Sequence, residues 1–170
     1  MSVCFYGCIT MDGYLADKQH RLDWLEQTGS PEETDYDRFY QNVDITIMGK
    51  RTYLALEQAG LTENPYPTSR NYVLTHSNSL SLDGFIPVAC DAAELVHRLG
   101  PDPSIWIIGG TTLLSPLLDH DMVDRIILQI APVLLGGGIP LFSQKEALKR
   151  FSLSSVRKLG PFAELVFERR

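Results

Sequence analysis

Ile105-Trp106-Ile107-Ile108-Gly109-Gly110-Thr111-Thr112 decides the fold, because an unbroken apolar run stops there at two glycines and two hydroxyl side chains. Such a run reads as a strand buried on both faces, the kind that a parallel sheet requires. The glycine pair lets backbone approach a ligand with no Cβ in the way. Thr111 and Thr112 then open a helix, either as caps or as donors to phosphate oxygens. Two more apolar runs end in the same manner. Thr46-Ile47-Met48 stops at Gly49-Lys50-Arg51-Thr52, and Tyr72-Val73-Leu74 stops at Thr75-His76-Ser77. Together the three suggest one dinucleotide lying across the carboxyl ends of neighbouring strands, which is where open α/β sheets bind their ligands.

Each segment also has a plain reading. Lys50 and Arg51 can point into water beside a tight turn, the glycine pair can be an ordinary turn, and Thr75-His76-Ser77-Asn78 can be a polar loop. The ligand reading draws on a local conflict: two cations open a helix whose N-terminal dipole favours acids, unless an anion sits there. Thr75, His76 and Ser77 offer hydroxyls and an imidazole that suit a ribose or its 2′-phosphate. Gly109-Gly110-Thr111-Thr112 has neither the third glycine of the dinucleotide fingerprint nor the lysine of a P-loop. Gly136-Gly137-Gly138 reads as a β-bulge or wide turn rather than an anion nest. His20, His97 and His120 have no spacing that reads as a site, and no Ser/His/Asp or Cys/His nucleophile arrangement stands out.

Outward from these runs, strands and helices alternate. Residues 3–10 read as a buried strand, followed by an Asp12-Gly13 turn and a polar loop. Ser30-Pro31-Glu32-Glu33 starts a helix with a capping serine, and Tyr36, Phe39, Tyr40 and Val43 form its core face. Lys50 to Gln58 is a helix closed by Gly60, and Phe85 to Val88 is a strand that Pro87 moves toward an edge. Asp91 caps a helix to Leu99, and Thr111 to Leu118 is a helix whose first segment Pro116 shortens. Arg125 to Val133 is a strand, Leu141-Phe142 resumes one after the glycines, and Phe151 to Val156 pairs with Leu165 to Glu168. The predicted fold class is α/β: a single domain over residues 1–170, with a central, mostly parallel mixed sheet, helices on both faces and antiparallel C-terminal strands.

With hydrophobic residues at 44% of 170, the chain is able to bury a core. A net charge of -6 argues against a nucleic-acid or anionic-membrane partner. Cys4 and Cys8 fall on one face of the first strand without companions at metal spacing, so they read as reduced core thiols of a cytoplasmic protein, and no metal site is expected. No signal peptide opens the chain, and no run approaches the roughly 18 apolar residues of a membrane span.

In this order the segments resemble the dihydrofolate reductase fold, and more closely the reductase domain of riboflavin biosynthesis. The resemblance covers nearly the whole chain. It is carried by Thr10-Met11-Asp12-Gly13-Tyr14, Ile47-Met48-Gly49-Lys50-Arg51-Thr52, Ile107-Ile108-Gly109-Gly110 and the stretch from Pro132 to Phe142 with its three glycines, which is characteristic of the riboflavin-type branch. It implies an NADPH-dependent reductase that transfers hydride to a pyrimidine- or pteridine-like heterocycle, with a divergent dihydrofolate reductase or a non-catalytic NADPH-binding module as alternatives. Gly49, Lys50, Arg51 and Thr52 match the turn that holds the pyrophosphate and the adenosine 2′-phosphate. Thr75 and His76 match the strand end beside the adenosine ribose. Ile108, Gly109, Gly110, Thr111 and Thr112 match the glycine turn under the pyrophosphate and nicotinamide ribose, and Cys8 and Leu15 match the nicotinamide pocket.

For the catalytic acid the resemblance offers Glu33, by counting back from Gly49, or Asp37 one turn later; each also reads as part of an exposed helix face. The arginine that would hold a folate carboxylate is replaced by Ser69, with Arg70 beside it, and Gln129 stands where a threonine would meet the pterin. A homodimer is implied as well, with Ile126, Leu128 and Ile130 as interface residues.

Overall fold

A computed structural model describes residues 2–143, 145 and 148–170. The first strand, β1 (Ser2–Thr10), is followed by a short strand β2 (Tyr14–Ala16) and a one-turn helix α1 (Asp23–Glu26). After α2 (Tyr36–Tyr40), the units β3 (Ile45–Gly49), α3 (Lys50–Gln58), β4 (Arg70–Leu74), β5 (Phe85–Val88), α4 (Ala92–Leu99), β6 (Ser104–Gly109) and α5 (Thr111–Asp119) alternate. The chain ends with β7 (Arg125–Ala131), β8 (Ile139–Pro140), β9 (Phe151–Leu159) and β10 (Phe162–Arg169). The eight-stranded sheet runs β5-β4-β3-β6-β1-β7-β10-β9. Its strands are parallel from β5 to β7, and β10 and β9 join antiparallel. This is the expected α/β architecture.

Strand alternation divides the core into two layers. On one face Val3, Phe5, Ile47 and Ile107 pack under α4 and α5, which contribute Leu95, Val96, Leu113, Leu114 and Leu117. On the other, Cys4, Tyr6, Met48 and Trp106 meet Tyr53 of α3 and the aromatic side chains of α2. Helices therefore cover both faces. Each fully buried aliphatic side chain contributes about 1.5–3 kcal/mol by leaving water. Asn71 is buried between β3 and β5 and fully used: its carbonyl accepts from Thr46, and its amide donates to the Tyr66 and Gly84 carbonyls.

The structure corrects several expectations. The helix expected from Ser30 is a short 3-10 turn over Pro31–Glu33 and then α2, because Thr34 is extended at φ -121 and ψ 175. Its hydroxyl donates to the Pro31 carbonyl and accepts from the Tyr36 amide, replacing helical bonds with local ones. Leu141-Phe142 is not a strand. The strand is β8, which pairs in a separate ribbon with β2, and neither of these short strands is among the expected ones. Gly138 allows that pairing, since a Cβ there would lie 2.2 Å from the Ala16 carbonyl oxygen. Helix α5 continues through Pro116 to Asp119 at the cost of the bond to the Thr112 carbonyl. Ile126 and Leu128 lie in the core under the helices, with Ile130 packed against it, so they are not an interface.

Candidate functional site

Register brings the three glycine- and hydroxyl-ended segments together. Gly49 lies opposite Leu74 across β3 and β4, and Met48 lies opposite Gly109 across β3 and β6. Three adjacent parallel strands thus finish level, and Thr75-His76-Ser77, Gly49-Lys50-Arg51-Thr52 and Gly109-Gly110-Thr111-Thr112 leave them side by side. The Lys50 ammonium donates to the Ser77 hydroxyl, joining two of the turns. Thr75 is buried, and its hydroxyl accepts from the Ser77 amide at 3.1 Å; His76 is exposed.

The two nine-residue helices that start here, α3 and α5, begin on Gly49 and Gly110 and have no side-chain cap. No side chain competes for their leading N–H groups, although the Leu113 N–H of α5 donates back to the Gly110 carbonyl at 3.0 Å, and their dipoles favour an anion. The contrast is α4, whose Asp91 carboxylate accepts from the Glu94 amide at 2.7 Å. Gly109 has φ 133, a backbone region that side chains other than glycine rarely adopt. A Cβ on Gly110 would stand 3.8 Å from Leu15 Cδ2, so Leu15 and the glycine turn are neighbours.

The β2–β8 ribbon crosses this end of the sheet. Asp12 fastens its base: Oδ1 accepts from the Thr10 hydroxyl at 2.6 Å and the Leu135 amide at 3.2 Å, and Oδ2 accepts from the Gly136 amide at 2.8 Å. These bonds, the Thr10 hydroxyl foremost, hold its carboxyl below the usual carboxylate range. The three glycines are therefore a turn clamped to Asp12. The Thr111 hydroxyl donates to the Pro140 carbonyl, and Arg51 Nη1 lies 3.1 Å from His20 Nε2 on the loop after β2. The ribbon and its loop thus touch the starts of both α5 and α3.

Cys8 lies on the α2 side of β1 against Trp24, Ala131 and Phe162, and burial pushes its thiol up to about 12. In the same row, Cys8 faces Gln129 of β7 and Gln129 faces Glu164 of β10. Gln129 Nε2 donates to the Tyr6 hydroxyl at 2.9 Å and to Glu164 Oε2 at 3.3 Å. Glu164 is 1% exposed, and Arg157 bridges it to Asp35 with 2.5 Å contacts on each side. A cavity of about 570 Å³ opens beside this network, lined by Tyr6, Asp35, Arg38, Phe39, Arg157 and Glu164 among others.

Neither Glu33 nor Asp37 lines that cavity. Glu33 Oε2 accepts from the Ser30 amide at 3.0 Å to close the predicted capping box, and Asp37 is exposed in the first turn of α2. Sequence reading missed Glu164, Arg157 and His20. For Glu164 a signal existed: Phe162, Glu164 and Val166 alternate onto the inward face of β10, but the strand was expected to begin at Leu165. Among the described residues no cluster of His, Cys, Asp or Glu could hold a metal ion, and no helix is long and apolar enough to cross a membrane.

Comparison with known proteins gives the same architecture. YwjB of Bacillus subtilis is 30% identical over 168 residues, covering 96% of this chain and 95% of its own. The crystal structure of a Shewanella sp. PV-4 protein described as a riboflavin biosynthesis protein superposes with a TM-score of 0.84 at 25% identity, over 100% of this chain and 99% of that one. The riboflavin biosynthesis protein RibD of Escherichia coli is 33% identical over 79 residues, 42% of this chain and 22% of its own. The Shewanella structure and this chain share the dihydrofolate reductase-like α/β fold, in which the mostly parallel sheet ends in antiparallel strands. With the family model for the RibD C-terminal domain matching residues 2–163, the chain belongs to the RibD C-terminal domain family.

Proposed function

We propose that this protein is an NADPH-dependent reductase that transfers hydride to a pyrimidine- or pteridine-like heterocycle. The observation that carries the reading is the pair of uncapped helix starts, α3 and α5, side by side at level strand ends, with Lys50 and Arg51 opening α3. Lys50 and Ser77 supply charge and a hydroxyl for the 2′-phosphate, with Thr75 and His76 beside the adenosine ribose. The α3 and α5 starts, with Arg51, Thr52, Gly109, Gly110, Thr111 and Thr112, take the pyrophosphate. Ile108, Cys8 and Leu15 line the nicotinamide end. Bound NADPH supplies the hydride; the protein's part is to hold the ring against the substrate and to exclude water.

On the substrate side, the row from Cys8 through Gln129 to Glu164 supports a polar anchor for the heterocycle. A carboxylate only accepts hydrogen bonds, so Glu164 turns the Gln129 amide nitrogen toward itself and fixes the side chain. Glu33 and Asp37, the acids that the resemblance implies, are the proton sources in this reading and deliver from the solvent side. The homodimer is part of the proposal too.

The test is equilibrium titration with NADPH, followed by NADPH oxidation with a panel of pyrimidine precursors and pteridines. Binding with substrate-dependent oxidation is expected. No affinity for nicotinamide nucleotides overturns the reading, and tight binding without turnover on any compound assigns the chain to non-catalytic NADPH binding instead.

A further inference from the structure

We infer that His20 is a phosphate-binding side chain, delivered to the cofactor's pyrophosphate from the loop after β2 and facing Arg51 across the cleft. The inference rests on the NADPH reading above. Its starting point is an unusual pair: the Arg51 guanidinium lies 3.1 Å from His20 Nε2, a contact in which the imidazole must be neutral and act as acceptor. A guanidinium fork is better matched to a carboxylate or phosphate. Yet among the described residues neither Lys50 nor Arg51 forms an ion pair, in a chain whose net charge is -6. These cations are held without an anion of their own.

The loop that carries His20 is built to present it. Asp17 Oδ1 accepts from the Gln19 and Arg21 amides, each at 2.8 Å, and Oδ2 accepts from Arg21 Nε at 2.8 Å. The His20 amide donates to the Asp17 carbonyl at 3.0 Å, and His20 itself sits at φ 64, a left-handed conformation in which histidine is among the more tolerated residues. Asp17 is thereby spent on its own loop. Asp17, Lys18 and Arg21 share the loop with His20, and Arg51 of α3 faces the imidazole; the remaining charged groups of α3 are Lys50 and Glu57, and His76 lies on the turn after β4. Lys18 lies beside Gly137, and Glu57 feels the Lys50 charge.

Direction separates the two cations. Lys50 reaches back to Ser77 after β4, whereas Arg51 reaches toward the ribbon whose other contacts, Leu15 with Gly110 and Pro140 with Thr111, cover the start of α5. His20 and Arg51 therefore flank the pyrophosphate, and Lys50 flanks the 2′-phosphate. When a phosphate enters, Arg51 exchanges its imidazole acceptor for an anionic oxygen. His20 takes a proton from solvent and becomes a second donor to the same group.

The experiment is calorimetric titration of the intact protein with NADPH and NADH at pH 6 and pH 8, in buffers of different ionisation enthalpy. His20→Asn is the principal variant, because asparagine tolerates the left-handed backbone; His20→Ala is the second, and both are checked by thermal melting. The wild type is expected to take up protons on binding. In His20→Asn that uptake falls, and the Kd for both nucleotides rises by a similar factor, roughly three- to tenfold at pH 6 and less at pH 8. Unchanged affinity and proton uptake overturn the inference while leaving the cofactor reading intact. A loss confined to NADPH also overturns it, by moving His20 to the 2′-phosphate. A wild-type protein without affinity for either nucleotide overturns both.

Discussion

Lys50 opens α3 against the preference of the helix dipole, and among the described residues its ammonium forms no ion pair and donates to the Ser77 hydroxyl. That conflict is legible in the sequence itself, since propensity and charge pattern disagree at a single place. Lys50→Ala is expected to raise the Kd for NADPH about 10- to 100-fold and to change the Kd for NADH little, because a charge-assisted bond to a phosphate is worth about 1.5–3 kcal/mol. Fluorescence titration with both nucleotides reads the difference; equal losses would remove the 2′-phosphate role. His20 was illegible for the opposite reason. Its partner lies 31 positions away, on an element brought near only by the fold.

At the level of elements, long buried strands were legible because apolar runs of the right length leave few alternatives. The β2–β8 ribbon was not, since strands of three and two residues carry no periodicity. What specifies it instead is steric: Gly138 lies so close to the Ala16 carbonyl that no side chain fits. Gly138→Ala is expected to cost about 1–3 kcal/mol through overpacking and to loosen the contacts of Leu15 and Thr111 at the glycine turn. Thermal melting combined with NADPH titration tests this, the expected outcome being a lower Tm together with weaker binding. The break at Thr34 escaped sequence reading because a threonine inside an otherwise helical pattern gives no hint that its hydroxyl will bond to Pro31. Glu33 and Asp37 are reached by counting along a helix that this break divides, so their spacing alone does not choose between them, and the buried carboxylate of Glu164 on β10 is a separate group.

At the scale of the molecule, the order of strands and helices predicted sheet type, layers and the antiparallel edge, because these follow from connection rules rather than from single residues. Which surface would join two copies in the proposed homodimer did not follow. With Ile126 and Leu128 in the core, we place the homodimer at β9, the nine-residue edge strand, where Leu153 and Val156 are 56% and 62% exposed. Replacing both by lysine is expected to leave a monomer in sedimentation velocity, with the melting temperature little changed. Loss of stability without a change in mass would refute that placement.

The central position of β1 has a consequence for synthesis on the ribosome. Its neighbours are β6 and β7, which begin at Ser104 and Arg125, so the first strand translated waits for most of the polypeptide before either flank is covered. Until Gly109 has emerged, a nascent chain carries β1 as an apolar strand with two unsatisfied edges, and until Ala131 has emerged one of them stays open, the condition in which growing chains engage chaperones or one another.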